Sequence, residues 1–401
     1  MKGNKSIGGL LLFSKKVLRE LSSPSLLLDL MAFDENCKNI ANQANGKKIR
    51  VATKSIRSIP ALKRIFQSSP VYQGLMSFSP HEAIFLANRG FTDILIGYPS
   101  TDKKALMEIS KINLSEKQII LMVDSFQQLE ILEAITKETS GMFYLCIDVD
   151  MSTTFANLHF GVRRSPLKTE KDVLELAEKI KEASSLQLLG IMGYEAQIAG
   201  VGDRIPSQYL KNKLVTYLKK KSLPEIEERR INIVRTLKEA GFTISLVNGG
   251  GTGSLHTTNK ENCITEVTVG SGFYSPLLFD YYQDFRYKPA LYFALPVVRK
   301  PAPNIYTCLG GGYIASGAPG RDKVPQPIYP PGGKLLPLEG AGEVQTPIYF
   351  EKETLEIGDA IIFRAAKAGE ICERFNNIIF IENQNIIDNY KTYRGEGVCF
   401  L

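Results

Sequence analysis

Eight short apolar runs, separated by helix-like stretches, recur between residues 48 and 269. The runs lie at 48–53, 71–77, 93–97, 119–124, 142–148, 188–193, 243–247 and 265–269. Most are apolar throughout, which is typical of strands buried on both faces. Candidate helices fill several of the intervals, at 59–67, 80–89, 125–138, 169–183 and 223–240. Alternating β and α units predict a parallel sheet, and eight units in about 220 residues predict a closed (β/α)8 TIM-type barrel.

The pattern changes after residue 285, where prolines and glycines become dense. Short candidate strands lie at 291–299, 304–309, 345–350, 360–364, 377–381 and 385–390. Pro-Gly punctuation between short strands indicates a β-sandwich or β-barrel. We therefore expect an α/β chain with a barrel domain at 25–285 and a second, C-terminal β-rich domain at 286–401. Residues 1–24 are expected to pack with the second domain, and segment 20–30 is a candidate extra strand of it.

The composition is that of a globular protein and argues against several classes of partner. The 401 residues are 44% hydrophobic and 23% charged, with a formal net charge of +7. The basic cluster Lys219–Lys221 is followed by glutamates, which indicates a solvated helix face rather than a nucleic-acid groove. The apolar run Gly8–Phe13 is too short for a signal peptide or a membrane span. Six cysteines without a CxxC pair indicate free thiols in a reducing compartment. We expect a cytoplasmic protein with no nucleic-acid or membrane partner.

Lys54 is the most informative single residue, because it ends the first predicted barrel strand. A lysine at the carboxyl end of a barrel strand lies on the face where barrel enzymes have their active sites. Taken alone, such a lysine is most often a solvated surface residue. Its significance depends on what the other strand ends carry.

Two glycine-rich turns follow the last two predicted strands, NGGGTGS at 248–254 and GSGFY at 270–274. Barrels of this kind often bind phosphate at the loops after strands seven and eight. Glycines let backbone N–H groups converge on an anion, and Thr252 and Ser254 could add hydroxyl donors. Tight turns that need positive φ are the ordinary explanation for one such motif. Two of them with a strand-end lysine predict pyridoxal 5'-phosphate (PLP), which needs a covalent anchor and a phosphate site.

The chain resembles the fold-type III PLP enzymes, whose barrel is similar to the N-terminal domain of alanine racemase. The segments that carry the resemblance are SPSLLLDL with Asn36, RVATKSIRSIPAL, HFGVRRSP, GIMGYEAQ, VNGGGTGS, VGSGFY and GEVQTP. Within these enzymes it is most similar to the D-threonine aldolase and D-serine dehydratase group, including proteins described as amino acid deaminase/aldolase. The lysine and GGGTG motifs together are specific, whereas the other segments are individually weak.

The resemblance implies roles for individual residues. Lys54 would be the Schiff-base lysine. The residues implied to contact the cofactor are Lys54, His159, Arg163, Tyr194, Gln197, Gly251, Thr252, Gly253, Gly270, Ser271 and Tyr274, and those implied to be catalytic are Lys54, Tyr194 and His159.

Two of these assignments have ordinary alternatives. His159 stands where relatives place an arginine before Gly-Val, near the cofactor ring, and the neighbouring Arg163 or Arg164 could take that place instead. A lone histidine is otherwise more often structural. Tyr194 follows a predicted strand, where a core or rim role is about equally common.

The chain departs from the metal-dependent members of that group near its C-terminus. They have a His-x-Cys or His-x-Asp pair after a Gly-Asp turn, whereas no histidine follows His256 here. Glu370 and Cys372 have the right mutual spacing, but zinc normally takes three or four protein ligands. The resemblance therefore leaves a divalent metal in doubt. Without metal, the β-hydroxyl proton would pass to a side chain such as Tyr194, Glu195 or His159.

The implied function is a lyase that acts on D-amino acids, by retro-aldol cleavage or by dehydration and deamination of a 3-hydroxy side chain. An amino-acid racemase is one alternative, with Tyr306 or Tyr313 as candidate second bases. A non-catalytic PLP-carrier or homeostasis protein is another, although such relatives usually consist of the barrel alone. We expect a small-molecule amino-acid substrate and leave a homodimer open.

Overall fold

The computed structural model describes residues 15–21, 23–115, 117–206 and 208–401. Two helices and one strand precede the barrel, namely α1 (Lys15–Glu20), β1 (Ser25–Asp29) and α2 (Leu30–Asn42). The apolar run at 8–13 lies outside the described residues. Within those residues, no helix has both the length and the apolar character needed to span a bilayer.

Strands and helices alternate through the middle of the chain, as the sequence predicts. In chain order they are β2 (Lys48–Ala52), α3 (Ile59–Ser68), β3 (Tyr72–Ser77), α4 (Pro80–Ala87), β4 (Asp93–Ile96), α5 (Lys103–Ile112), β5 (Gln118–Val123), α6 (Phe126–Thr139), β6 (Phe143–Asp148), β7 (Thr153–Phe155), β8 (Leu158–Phe160), α7 (Glu170–Glu182), β9 (Leu186–Gly193), α8 (Ala196–Ala199), α9 (Tyr209–Glu239), β10 (Leu246–Gly249), α10 (Leu255–Thr258) and β11 (Glu266–Val269). Eight of the strands close into a parallel barrel in the order β2-β3-β4-β5-β6-β9-β10-β11. The predicted barrel is confirmed.

Capping residues mark the start of several of the outer helices. The side chain of Ser79 accepts a hydrogen bond from the Glu82 amide at the start of α4, and Asp102 caps α5 in the same way. Thr169 and Asp172 form a capping box that begins α7. Each cap satisfies an amide that has no acceptor within its own helix.

The barrel interior is apolar except for one buried charge cluster. Arg50 on β2 is 1% exposed, and its guanidinium donates to Glu266 on β11 at 2.6 Å and to Asp93 on β4 at 2.8 Å. Asn248 on β10 donates to the same glutamate at 2.7 Å. A buried guanidinium is tolerated only with such partners. The cluster ties four strands together, namely β2, β4, β10 and β11.

The second domain is a mixed sheet of nine strands. Its strands after the barrel are β12 (Leu291–Ala302), β13 (Ile305–Leu309), β14 (Gln326–Tyr329), β15 (Lys334–Leu335), β16 (Gln345–Tyr349), β17 (Ala360–Arg364), β18 (Asn377–Glu382) and β19 (Asn385–Lys391). The main path runs β15-β16-β13-β12-β1-β18-β19, and β17 and β14 branch from β12.

The N-terminal strand β1 belongs to this second sheet and not to the barrel. It pairs antiparallel with β12 and parallel with β18. Val17, Leu18 and Leu21 pack beside it against apolar side chains of the same sheet. The extra strand expected in segment 20–30 is therefore β1, which lies between two strands of the second domain. The predicted barrel range 25–285 includes this strand, whereas the structure places it in the second sheet.

Candidate active site

A cavity of about 740 Å³ opens at the carboxyl ends of the barrel strands. Lys54 lies on its wall, in a single 3-10 turn (Thr53–Ser55) that directly follows β2. The Nζ atom of Lys54 donates to the hydroxyl of Tyr98, which follows β4, at 2.6 Å. The lysine therefore projects into the cavity, as its strand-end position predicts.

Both glycine-rich turns lie on the wall of the same cavity. The residues that line it from these turns are Gly250, Gly251, Thr252, Gly253, Gly270 and Ser271. A Cβ atom on Gly253 would lie 2.3 Å from the carbonyl oxygen of Ala199, and one on Gly270 would lie 2.8 Å from Oγ of Ser55. The backbone of Ala199 thus leaves room only for glycine at position 253, and the side chains of Ala52 and Ser55 crowd position 270.

The turns present unused backbone donors. Among the described residues, the amides of Thr252, Gly253 and Ser271 have no hydrogen-bond acceptor. The hydroxyl of Thr252 accepts from the Gly272 amide at 3.0 Å, which joins the two turns. Free N–H groups on adjoining turns form the kind of concave donor surface that binds phosphate.

A buried ionic network contacts the first glycine-rich turn (248–254) on the side away from the cavity. Glu195 is 1% exposed and accepts hydrogen bonds from the Gly250 amide at 3.2 Å, from Oγ of Ser254 at 2.7 Å and from Oγ1 of Thr258. Arg230, which is fully buried, bridges Glu195 at 3.0 Å and also contacts Glu261. The predicted use of Ser254 as a hydroxyl donor into the cavity is wrong, because its hydroxyl donates to Glu195. Glu195 is likewise unsuited to act as the β-hydroxyl base. Its carboxylate does not line the cavity, and four donors already hydrogen-bond to it.

Two tyrosines and an arginine also line the cavity, next to Lys54 and the first glycine-rich turn. The guanidinium of Arg164 lies 5.6 Å from the ring centre of Tyr98 and 5.4 Å from that of Tyr194. Burial raises the pKa of Tyr98, but the charge and hydrogen bond of Lys54 and the charge of Arg164 outweigh it, so the net pKa is lowered. Burial raises the pKa of Tyr194 to about 12, against a smaller lowering by Arg164. The two phenols therefore differ in acidity although they flank one cation.

The structure brings most of the predicted residues together on one wall. They are Lys54, Tyr194, Gly251, Thr252, Gly253, Gly270 and Ser271.

Four predicted residues do not line this cavity. Tyr274 is buried behind it, and its hydroxyl donates to the carbonyl of Ile56 at 3.0 Å. Gln197 donates to the carbonyl of Met151 at 2.6 Å. His159 lies on the β7–β8 hairpin, opposite Thr154, and Arg163 is exposed beyond it. The wall position expected for His159 or Arg163 is taken by Arg164, because the segment after β6 folds into this hairpin before it returns to the barrel mouth.

Sequence reasoning also missed residues that the structure places on the wall. Tyr98 follows the predicted run DILIG directly, as Lys54 follows its own strand, and that position is the signal by which it could have been found. Asn248, at the end of β10, is a second such residue. Ser316 and Lys367 come from the second domain, and no local pattern marks them; Glu370, named in the sequence only as a doubtful metal ligand, lies beside them on the wall.

The second domain contacts the lysine turn directly. Gly369 has φ +80°, and a Cβ atom on it would lie 2.0 Å from the carbonyl oxygen of Lys54. Arg57, which has φ +51°, donates to that same carbonyl at 3.0 Å and to Glu373 of the second domain at 2.7 Å. We call residues 367–370 the strap, because they pass across the cavity mouth against the backbone of Lys54.

Glu370 and Cys372 are engaged in separate contacts. The carboxylate of Glu370 accepts from the hydroxyl of Ser316 at 2.5 Å and from Lys367 at 3.4 Å. The thiol of Cys372 is buried and directed at the carbonyl of Ile56, and burial raises its pKa to about 12. In the described part of the chain, no group of three or more His, Cys, Asp or Glu side chains has a geometry that could hold a metal ion.

A second cavity, also of about 740 Å³, lies between the strap and the C-terminal segment. It shares Arg57, Ser316, Lys367 and Glu370 with the first cavity, but neither Lys54 nor a glycine-rich turn lines it. The first cavity is therefore the candidate active site.

A parallel barrel with a lysine after one strand and anion-binding turns after the last two defines a class of cofactor-binding barrels. Residues 28–276 match the family model described as alanine racemase, N-terminal domain. The match covers more than half of the chain, and the chain belongs to this family.

Individual relatives are more distant. A curated 3-hydroxy-D-aspartate aldolase from Paracoccus denitrificans (strain Pd 1222) is 22% identical over 254 residues, which is 63% of this chain and 60% of that protein. The chain thus matches less than two thirds of that relative's length. Among solved structures, D-threonine aldolase from Filomicrobium marinum has a TM-score of 0.79 at 17% identity, with 94% of this chain and 96% of that chain covered. D-threo-3-hydroxyaspartate dehydratase from Delftia sp. HT23 has a TM-score of 0.72 at 16% identity, with 94% and 98% covered. At such identities these similarities show the fold alone.

The family implies PLP, and the residues of the cavity fit that group. Lys54 offers the amine that would hold its aldehyde carbon. The free amides of Thr252, Gly253 and Ser271 offer donors for its phosphate. Among the described residues, the wall carries the basic side chains Lys54, Arg57, Arg164, Lys211, Lys323 and Lys367 but only two carboxylates, Asp322 and Glu370. Such an excess of positive charge suits an anionic cofactor.

Proposed function

We propose that this chain is a PLP-dependent lyase that acts on a D-3-hydroxy amino acid. The observation that carries the proposal is the arrangement of Lys54 and two phosphate-type turns on one cavity wall. The relatives named above, which include a 3-hydroxy-D-aspartate aldolase and a D-threonine aldolase, support the substrate class.

The residues of the chain divide the work between binding and proton transfer. The two glycine-rich turns bind the phosphate and fix the orientation of the cofactor ring. Bound PLP supplies a ring system that accepts the electron pair left at Cα. Lys54, as a free amine, moves a proton at Cα. Arg164, which has no ion-pair partner among the described residues, is available for an anionic group of the substrate or cofactor.

The second domain favours an enzyme over a carrier protein. Ser316, Lys367 and Glu370 extend the cavity wall above Lys54, so the space extends beyond the barrel mouth itself. A racemase has less support. The hydroxyl of Tyr306 donates to the carbonyl of Glu353, and Tyr313 lines the second cavity, so neither reaches Lys54 in this chain.

The test combines cofactor attachment with turnover. Purified protein should absorb in the visible region, and borohydride should bleach that band and leave the pyridoxyl group on Lys54. The Lys54→Ala variant should lose the band, because Lys54 is the wall lysine that directly follows a barrel strand, whereas Lys367→Ala, on the same wall, should keep it. A panel of D- and L-3-hydroxy amino acids should then yield aldehyde or keto acid from D-enantiomers. Interconversion of enantiomers without either product would overturn the proposal in favour of a racemase.

A further inference from the structure

A short polar contact joins Lys54 and Tyr98 on the cavity wall. The hydroxyl of Tyr98 lies 2.6 Å from Nζ of Lys54. We infer that Tyr98 is the general base that removes the proton from the β-hydroxyl of the substrate, and that the reaction is therefore a retro-aldol cleavage rather than a dehydration. This inference rests on the proposed function.

The surroundings of Tyr98 favour its phenolate form. Lys54 hydrogen-bonds to its oxygen, and the guanidinium of Arg164 lies 5.6 Å from its ring centre. Two cations against one phenol stabilise the negative charge, and they lower its pKa in spite of burial.

The carboxylates of the described cavity wall, and Glu195 behind it, are already engaged by other side chains. Glu195 accepts four hydrogen bonds behind the glycine turn. Glu370 is held by Ser316 and Lys367, and Asp322 by Lys323. Tyr194 is flanked by Arg164 as well, but lacks a lysine partner, and burial raises its pKa to about 12. Among the tyrosines of the described cavity wall, Tyr98 is thus the one whose environment lowers its pKa.

The proton path balances. The phenolate oxygen of Tyr98 takes the β-hydroxyl proton, and the O–H electron pair becomes the second bond of a carbonyl group. The Cα–Cβ bond breaks, its pair stays at Cα, and an aldehyde leaves. Lys54, as the ammonium group that stabilises the phenolate, delivers a proton to Cα, and Tyr98 then passes the β-hydroxyl proton across 2.6 Å to the neutral amine that remains. Glycine and an aldehyde result, with no net gain or loss of protons.

Dehydration has the opposite requirement. Loss of the β-hydroxyl as water needs a group that donates a proton to the leaving oxygen. In its phenolate form Tyr98 carries no proton that it could donate to the leaving oxygen. The same geometry that makes Tyr98 a base thus disfavours elimination.

The first arm of the test is spectroscopic and independent of turnover. Full-length purified protein is titrated with alkali while the ultraviolet tyrosinate band is followed. Subtracting the curve of Tyr98→Phe from that of the wild type should reveal one phenol that ionises below the ordinary range of tyrosine. Tyr194→Phe is the matched control and should leave that early step in place. An early step that persists in Tyr98→Phe would overturn the inference.

The second arm separates the β-oxygen from Cα. Tyr98→Phe should lower kcat for aldehyde release by about 10²–10⁴-fold, the usual contribution of a positioned acid or base, with a small change in KM. The variant should still exchange the Cα hydrogen of glycine for deuterium, because Lys54 serves that step. The acidic limb of the wild-type kcat profile should also disappear.

The outcomes are distinguishable. If the wild type forms neither aldehyde nor keto acid from any D-3-hydroxy amino acid, the proposed function fails; if it forms keto acid and no aldehyde, the proposed function stands and the inference about Tyr98 is overturned. If the wild type cleaves and Tyr98→Phe cleaves equally well, only the role of Tyr98 is wrong. If the variant loses glycine exchange together with cleavage, while its melting temperature is unchanged, Tyr98 serves Lys54 and not the β-oxygen, which also overturns the inference.

Discussion

Thr252 and Ser254 are two residues apart in one glycine-rich turn, yet their hydroxyls face different partners. Thr252 lines the cavity and accepts from the Gly272 amide, whereas Ser254 donates to the buried Glu195. The turn alternates its side chains between the ligand side and the protein interior. Sequence motifs that treat both as donors to phosphate miss that difference.

We therefore predict separate effects for the two hydroxyls. Thr252→Val should weaken PLP retention by about 1–3 kcal/mol, the scale of losing a hydrogen-bonding partner to a charged group. Pyridoxal, which lacks the phosphate, should be far less sensitive. Ser254→Ala should instead lower the free energy of unfolding by about 1–3 kcal/mol, because it removes a donor from a buried carboxylate.

Cofactor titration and urea unfolding of both variants check this contrast. Equal losses of PLP and pyridoxal affinity in Thr252→Val would contradict the assignment of the turn to phosphate. A Ser254→Ala variant with wild-type stability would contradict the supporting role of the Glu195 contact.

Individual residues were predictable from sequence where a strand end fixed their direction. Lys54 and the glycines of both turns follow buried strands, so the barrel geometry alone brings them to one mouth. His159 and Gln197 were not predictable in this way, because they do not lie at strand ends of the barrel. His159 lies in the β7–β8 hairpin and Gln197 in the short helix α8. Their side-chain directions depend on local folding that hydropathy does not encode.

At the scale of elements, the strap is the part of the second domain that touches the lysine turn. Gly369 has room for hydrogen only, since a Cβ atom would lie 2.0 Å from the Lys54 carbonyl oxygen and 2.8 Å from Cα of Ser55. Relief of that overlap would need the strap or the lysine turn to move. The position of Lys54 is thus set from two domains.

We predict that Gly369→Ala destabilises the protein and perturbs the cofactor attached to Lys54. Gly358→Ala is the matched control, because Gly358 also has positive φ, at +95°, but meets no atom within 4 Å. The control should cost only the left-handed backbone strain, about 1–2 kcal/mol. Gly369→Ala should cost more than the control and shift the visible absorption band. Thermal unfolding and absorption spectra of the two variants measure both effects, and identical behaviour would show that the strap contact is unimportant.

The barrel elements were largely predictable because buried parallel strands are continuous apolar runs. The elements that differ have physical reasons. The helix predicted at 223–240 is the second half of α9, which runs from Tyr209 to Glu239 through Pro224, so the proline does not end it. The last-but-one barrel strand lies at Leu246–Gly249 and not at 243–247, because its register is set by pairing with β9. Pairing of this kind is tertiary information.

At the scale of the whole molecule, we predict activity that does not depend on a tightly held divalent metal. No histidine follows His256, and Glu370 and Cys372 have partners of their own. Dialysis against a strong chelator should leave turnover of the substrate identified by the panel unchanged, with metal content measured before and after. Stoichiometric zinc in the purified protein, together with activity that is lost on removal and restored on addition, would contradict this prediction.

The pairing of β1 between β12 and β18 affects how the chain can fold. Leu26 pairs with Phe293 on one side and with Ile378 on the other, so a strand near the start of the chain completes a sheet made from its end. During synthesis on the ribosome, β1 is made before the barrel, and its partner strands β12 and β18 are made after it. Its hydrophobic edges are exposed throughout that interval, which is a period of risk for aggregation. The barrel is inserted in the chain between β1 and β12, two neighbouring strands of the second sheet. A truncated second domain that began after the barrel would therefore lack β1, an inner strand of that sheet.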